Sequence, residues 1–149
     1  MYHSVIILIL HVIVGHFIVG CSSKRNTGVP SLMEESQEQN ELLWLPYRPL
    51  SMDEYKSQSQ IIYGTADWCL TCVLFEREVL MLSSIQKSLQ DDGFVAFRAD
   101  LTQNDPDVHA LMQQHNVTLV PFLVIVKEGK TVLLKDKITK EELQKAILD

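Results

Sequence analysis

Apolar positions fall into three regimes along the chain. From Val5 to Val19 they run almost unbroken, with His11, Gly15 and His16 as the only interruptions. From Ser22 to about Glu41 they thin out into a polar stretch that holds Gly28-Val29-Pro30 and a Glu/Gln/Asn/Ser run from Glu34 to Glu41. From Leu42 onward they return as short segments parted by turn residues. That last pattern is the one a packed domain needs.

Within the third regime, Leu42-Leu43-Trp44-Leu45 reads as a first strand ended by Pro46 and Pro49. Ser51-Met52-Asp53-Glu54 has the form of a capping box and opens a short helix. Ile61 to Thr65 is a strand apolar enough to lie centrally in a sheet. A long helix is predicted from about Cys69 to Gln90. Its apolar positions Phe75, Val79, Leu82, Ile85 and Leu89 recur at three- and four-residue steps as one buried stripe, and Gly93 stops it. Phe94 to Phe97 is the next strand. Asp105-Pro106 starts a helix that runs to about His115, with Asp as cap and Pro at the first helical position. Phe122 to Val126 and Thr131 to Leu134 form a hairpin about Glu128-Gly129. Thr139-Lys140-Glu141-Glu142 is a second capping box, opening a final helix to Leu148. The order β-α-β-α-β-α-β-β-α describes an α/β domain with a mixed sheet of about four or five strands flanked by helices.

The chain has 149 residues, which suits one such domain and leaves no room for two. Hydrophobic content of 46% against 21% charged residues fits a globular fold. The net charge of −6, with no basic stripe, argues against nucleic acid as a partner. Three cysteines, Cys21, Cys69 and Cys72, are too few for a disulfide-stapled scaffold.

The odd cysteine belongs with the first regime. At about 15 residues, Val5 to Val19 is short for a membrane span, which needs roughly 20, and suits the core of an export signal. Ile18-Val19-Gly20-Cys21 follows at once and resembles the lipobox of bacterial lipoproteins. That resemblance implies cleavage after residue 20 and lipid on Cys21. The segments are then a signal peptide over 1–20, a lipidated tether over 21–41 and a domain over 42–149. Met1-Tyr2-His3-Ser4 lacks the basic residues of a usual signal, so an uncleaved N-terminal anchor is the alternative. Both readings put the domain outside the cytoplasm on a membrane tether.

The other two cysteines carry the chemistry. Trp68-Cys69-Leu70-Thr71-Cys72 sits directly after the apolar Ile61-Ile62-Tyr63 and directly before a helical pattern. A strand that delivers a C-x-x-C to a helix start is the layout of disulfide exchange, because unpaired N–H groups there favour thiolate.

With the element order, three further features complete a resemblance: Thr65-Ala66-Asp67-Trp68-Cys69-Leu70-Thr71-Cys72 followed by Phe75-Glu76, then Asp100-Leu101-Thr102 with Asn104-Asp105, and Val120-Pro121 just before the hairpin. The chain from about Leu42 to Asp149 resembles thioredoxin, and within that fold the thioredoxin-like domains of the DsbD and DsbH type. The resemblance implies a redox disulfide between Cys69 and Cys72, with Cys69 as nucleophile and Cys72 as the more buried resolving thiol. It implies a cis bond at Val120-Pro121, leaving the backbone of Val120 to pair with an extended substrate segment. Trp68 is expected to pack beside the site and shield it, or to be a core residue. Glu76 is expected to manage protons near Cys72, with an ordinary solvated carboxylate as the alternative, and Asp67 is the other carboxylate at hand. The chain departs from the family at Tyr63, which stands where a buried Asp is usual, and at Val73, where Lys is frequent.

The function implied is that of a protein-disulfide reductase without cofactor or metal, expected to be a monomer. Its partners would be protein disulfides and an upstream dithiol donor, such as a membrane protein of the DsbD type. Copper handling, disulfide donation as an oxidase and a binding module without activity are the alternatives. His109 and His115 read as surface residues unrelated to the cysteines.

Overall fold

A computed structural model describes residues 42–149. The export-signal segment, Cys21 and the polar tether lie outside the described residues. Five strands make one sheet: β1 (Trp44–Pro46), β2 (Gln60–Thr65), β3 (Val95–Asp100), β4 (Phe122–Lys127) and β5 (Lys130–Lys135). Their spatial order is β1-β3-β2-β4-β5. β1 and β2 run parallel to β3, β4 is antiparallel to β2, and β5 is antiparallel to β4. The mixed five-stranded sheet agrees with the architecture expected from the element order.

Every residue of β2 is buried, which is why its sequence carries no polar alternation. Its side chains still alternate between faces. Ile61 and Tyr63 enter one core with Leu123 and Ile125 of β4, while Ile62 enters the other with Phe122 and Val124. The first core is covered by α2 (Leu70–Phe75), α3 (Ser83–Asp91) and α5 (Lys140–Leu148), through Cys72, Phe75, Ile85, Leu89, Leu143 and Ile147. The second is covered by α4 (Pro106–Gln114), through Val108, Leu111 and Met112, with Met52 of α1 (Pro49–Glu54) at its margin.

The start and stop signals hold at three elements. Asp105 caps α4 by accepting the Asp107 N–H at 2.9 Å, with Pro106 opening the helix. Thr139 and Glu142 form the reciprocal capping box of α5. Glu128 and Gly129 turn the hairpin with φ of 51° and 75°, the left-handed pair that a two-residue turn demands.

Two expectations are corrected. α1 does not begin at a Ser51 cap: it begins at Pro49, with Arg48 extended before it and the Ser51 and Met52 N–H groups bonded back to the Arg48 carbonyl. Proline at a first helical position is pre-set for the helix, so Pro49 starts the element it was expected to precede. The long helix from Cys69 is also not continuous. α2 passes into a single π turn, Glu76–Leu80, and the chain then breaks at an extended Leu82 before α3. The buried Gln86 side chain holds the break, donating to the Leu80 carbonyl at 2.7 Å and accepting the Leu42 N–H at 3.3 Å. The break lets Leu80, which lies off the predicted stripe, reach the core beside Ile85.

Candidate active site

At the end of β2, Ala66 to Trp68 carries the chain into Cys69. The Cys69 N–H bonds back to the Ala66 carbonyl at 3.0 Å, and the Asp67 N–H donates to Thr102 Oγ1 at 2.8 Å. Thr102 is fixed in turn, its own N–H donating to Asp100 Oδ1 at 2.8 Å. The loop after β3 therefore holds the loop that presents the cysteine. Burial pushes the Asp100 carboxyl up, but the Thr102 hydrogen bonds and the Arg98 charge outweigh it and leave the group below its ordinary value.

Cys69 is the cap residue of α2, and its Sγ accepts the Cys72 N–H at 3.1 Å. It is joined to Cys72 by a disulfide with the Cα atoms 5.2 Å apart. Cys69 retains 6% of its surface and Cys72 only 1%, so an incoming sulfur can meet the first and not the second. Thr71 Oγ1 lies 3.3 Å from Cys69 Sγ. The Val120 carbonyl oxygen is 3.7 Å from the same sulfur, and the Val120-Pro121 bond is cis. A cleft of about 170 Å³ opens between Thr71 and the Asn116–Pro121 loop, with Lys135 and Asp136 at its far wall. Trp68, Leu70, Val73, Leu74 and Leu119 are exposed around the pair.

Tyr63 lies beneath. Its side chain is fully buried, and its hydroxyl donates to the Cys72 carbonyl at 3.2 Å. Its ring packs on Phe75 and Trp44 with centroids 5.6 and 6.1 Å apart, and the Arg98 guanidinium is 5.9 Å from its centre. Burial, and then the negative charge of Glu76, push the phenol far above its ordinary value against the opposing effects of Thr65 and Arg98. Tyr63 is thus a fixed hydrogen-bond donor and not a base. Glu76, at the start of the π turn, is half-buried and accepts from Arg98 Nη1 at 3.0 Å.

The structure brings Cys69, Cys72, Tyr63 and Val120 into contact and places Glu76 against the same core through Arg98. It does not bury Trp68, which is 64% exposed; Ala66 and Cys69 take the inward positions of that loop instead. Asp67 is exposed, on a polar cleft shared with Arg48, Arg98, Asp100 and Thr102. Sequence reading missed Arg98, whose pairing with Glu76 spans 22 residues and has no local signal. It also gave no role to Thr102 beyond the resemblance, although Asp-x-Thr after a strand is the pattern of a side-chain turn. Among the described residues, no group of three or more His, Cys, Asp and Glu side chains could hold a metal ion. Among them, too, no helix is long and apolar enough to cross a membrane.

Residues 57–128 match the family model described as thioredoxin-like. The thiol:disulfide interchange protein DsbD of Cronobacter sakazakii is 36% identical over 59 residues, which is 40% of this chain and 10% of that protein. The chain thus spans only about a tenth of the length of the curated relatives it matches. Among solved structures, a DsbH oxidoreductase aligns with a TM-score of 0.59 at 19% identity, covering 82% of this chain and 95% of the other. A Thermus thermophilus thioredoxin aligns with a TM-score of 0.58 at 20% identity, covering 72% and 85%. The fold of residues 42–149 is the thioredoxin fold.

Proposed function

Given that residues 57–128 form a thioredoxin-like domain, we propose that this chain is a thiol-disulfide oxidoreductase that reduces protein disulfides outside the cytoplasm. The observation that carries the reading is the graded exposure of the bonded cysteines, with Cys69 keeping a small exposed fraction of 6% under a Cys72 N–H donor and Cys72 all but sealed at 1%.

The reaction balances within the pair. With both cysteines reduced, the Cys69 thiolate attacks one sulfur of a partner disulfide. A mixed disulfide forms, and the other partner sulfur leaves as a thiolate that takes a proton. Cys72, having lost its own proton, then attacks Cys69 Sγ. The Cys69–Cys72 disulfide forms and the second partner sulfur leaves. Two electrons have passed to the partner, and an upstream dithiol must return them. The Val120 backbone supports the partner segment by strand-like pairing. Glu76 receives the Cys72 proton directly or through water, since Tyr63 is held neutral. The names of the matched relatives, thiol:disulfide interchange proteins, support thiol-disulfide exchange as the reaction. Ile18-Val19-Gly20-Cys21 supports a lipid-tethered protein facing outward.

The deciding experiment is the reduction potential of the Cys69–Cys72 pair in glutathione buffers. A value near −270 mV, as in thioredoxin, supports the reductase, and one near −120 mV makes the protein a disulfide donor. Cys69→Ser abolishes turnover, whereas Cys72→Ser accumulates the mixed disulfide on a non-reducing gel. Glu76→Gln slows release of the reduced partner by up to about 100-fold, the lower end of general-base effects; an unchanged rate across pH removes Glu76 from the mechanism. Intact mass of the membrane-extracted protein tests lipidation, which Cys21→Ser eliminates.

A further inference from the structure

A second cleft, of about 180 Å³, adjoins the one beside the cis-proline loop, and the mechanism above does not use it. Thr71, Pro121 and Asp136 line both clefts, so the two are continuous. The wall of the second is apolar and comes from three elements. α2 gives Leu74 and Phe75, the π turn gives Val79, and the loop between β5 and α5 gives Ile138. Phe75 and Ile138 are buried and Val79 is half-buried, so most of this wall is fixed by the core behind it.

Three charged residues also line this cleft: Glu78, Lys137 and Asp136. Glu78 is paired with Arg77 at 2.8 Å. Lys137 faces the start of α5: after the Thr139 hydrogen bonds, its charge helps to hold the Glu142 carboxyl below its ordinary value. Asp136 has no ion pair among the described residues. Lys135 lines the first cleft and not the second. The uncommitted charge over the apolar wall is therefore a carboxylate. A side chain with an aliphatic stem and a cationic end, lysine or arginine, matches both features. The net charge of −6 attracts a basic segment over a longer range.

We propose that the second cleft is a specificity subsite of the exchange reaction, in which Asp136 selects partner segments that carry lysine or arginine near their reacting cysteine. The inference rests on the redox reading above and names the class of partner it acts on. Alternate side chains of an extended segment share one face, about 7 Å apart. The residue two positions from the partner cysteine therefore turns to the same surface of this domain as the cysteine itself.

The test uses the full-length reduced chain carrying Cys72→Ser, with and without Asp136→Asn. Asparagine tolerates the left-handed backbone of residue 136, at φ 67°, as aspartate does. The probes are short peptides whose one cysteine is bonded to nitrothiobenzoate. They differ only in the residue two positions before or after it: lysine, norleucine or glutamate. The Cys69 thiolate attacks the peptide sulfur, the coloured nitrothiobenzoate thiolate leaves with the electron pair, and the mixed disulfide persists because no resolving thiol follows. The rate of colour release is read above that of a chain carrying Cys69→Ser and Cys72→Ser, which removes any contribution of Cys21. At about 0.15 M salt, distant charges are screened beyond about 8 Å. There the lysine peptide in one of the two placements reacts about threefold faster than norleucine and about tenfold faster than glutamate, as a solvated ion pair allows. In Asp136→Asn both ratios fall to about twofold or less. If the parent reacts equally with all peptides, or prefers norleucine, the subsite does not read charge and the inference falls. If Asp136→Asn keeps the parent's ratios, another group makes the choice and the inference falls as well. In both cases the redox reading stands. If no peptide reacts above background, Cys69 is not an attacking thiol, and the redox reading falls together with the inference.

Discussion

A phenol lies under the resolving cysteine, and its hydrogen bond to the Cys72 carbonyl ties β2 to the first turn of α2. Tyr63→Phe keeps the ring packing on Phe75 and Trp44 and removes only the hydroxyl, so the oxidised protein loses about 1 kcal/mol in urea unfolding. The pH dependence carries a definite sign. Tyr63 has a folded value raised above its unfolded value, so its contribution is complete below pH about 10 and is lost as pH rises from there. The alkaline limb of the stability curve is accordingly shallower in Tyr63→Phe. Exchange kinetics of that variant keep the parent's pH profile near neutrality, since a phenol held neutral is not the base. Asp100 works in the opposite sense. Its carboxyl is depressed, so its contribution is present above the unfolded carboxylate range near pH 4 and is lost as pH falls through the folded value. Thr102→Val removes the acceptor for the Asp67 N–H and a donor to Asp100. The expected result is a loss of under about 1 kcal/mol at neutral pH, a flatter acid limb, and faster hydrogen exchange at the Asp67 amide.

Among the elements, β2 is the one that decides where the site stands, because it is central and hydrogen-bonded on both sides. Gly64 is opposite Phe122 in the antiparallel pairing with β4, and a Cβ there would overlap the Phe122 ring. Glycine is needed for that close approach, two residues before Ala66 and the cysteine loop. Gly64→Ala costs about 1–3 kcal/mol, an overpacking penalty in a full core, measured by chemical denaturation. Phe122→Leu in the same chain recovers part of it by vacating the overlap. The interrupted helix after Cys72 shows how a tertiary demand overrides a local pattern. A continuous three-four stripe was visible in the sequence, but the core needed Leu80 as well as Ile85, and one π turn with a break at Leu82 delivers both.

Taken whole, residues 42–149 contain the five-stranded sheet, its two cores and both site cysteines. A protein cut to that segment is expected to unfold cooperatively and to keep the parent's reduction potential; a potential displaced by more than about 30 mV, a tenfold change in equilibrium, would show that the first 41 residues reach the site. The sequence by itself determined the order of strands and helices, save for the break that parts α2 from α3, because strand and helix periods and helix-start signals act over a few residues. It determined the location of the thiol pair, since C-x-x-C after a buried strand is local too, and by resemblance it pointed to the proline loop. The tertiary structure alone decided what surrounds that pair. Arg98 meets Glu76 because β3 lies beside β2, and Tyr63 reaches the Cys72 carbonyl because α2 packs on the face of β2 that Tyr63 shares. Trp68 stands in solvent because Ala66 and Cys69 fill the space beneath the loop. Such contacts join residues far apart in sequence, or choose which of two neighbours turns inward. Periodicity fixes the face a residue occupies, and only close packing fixes what it touches there.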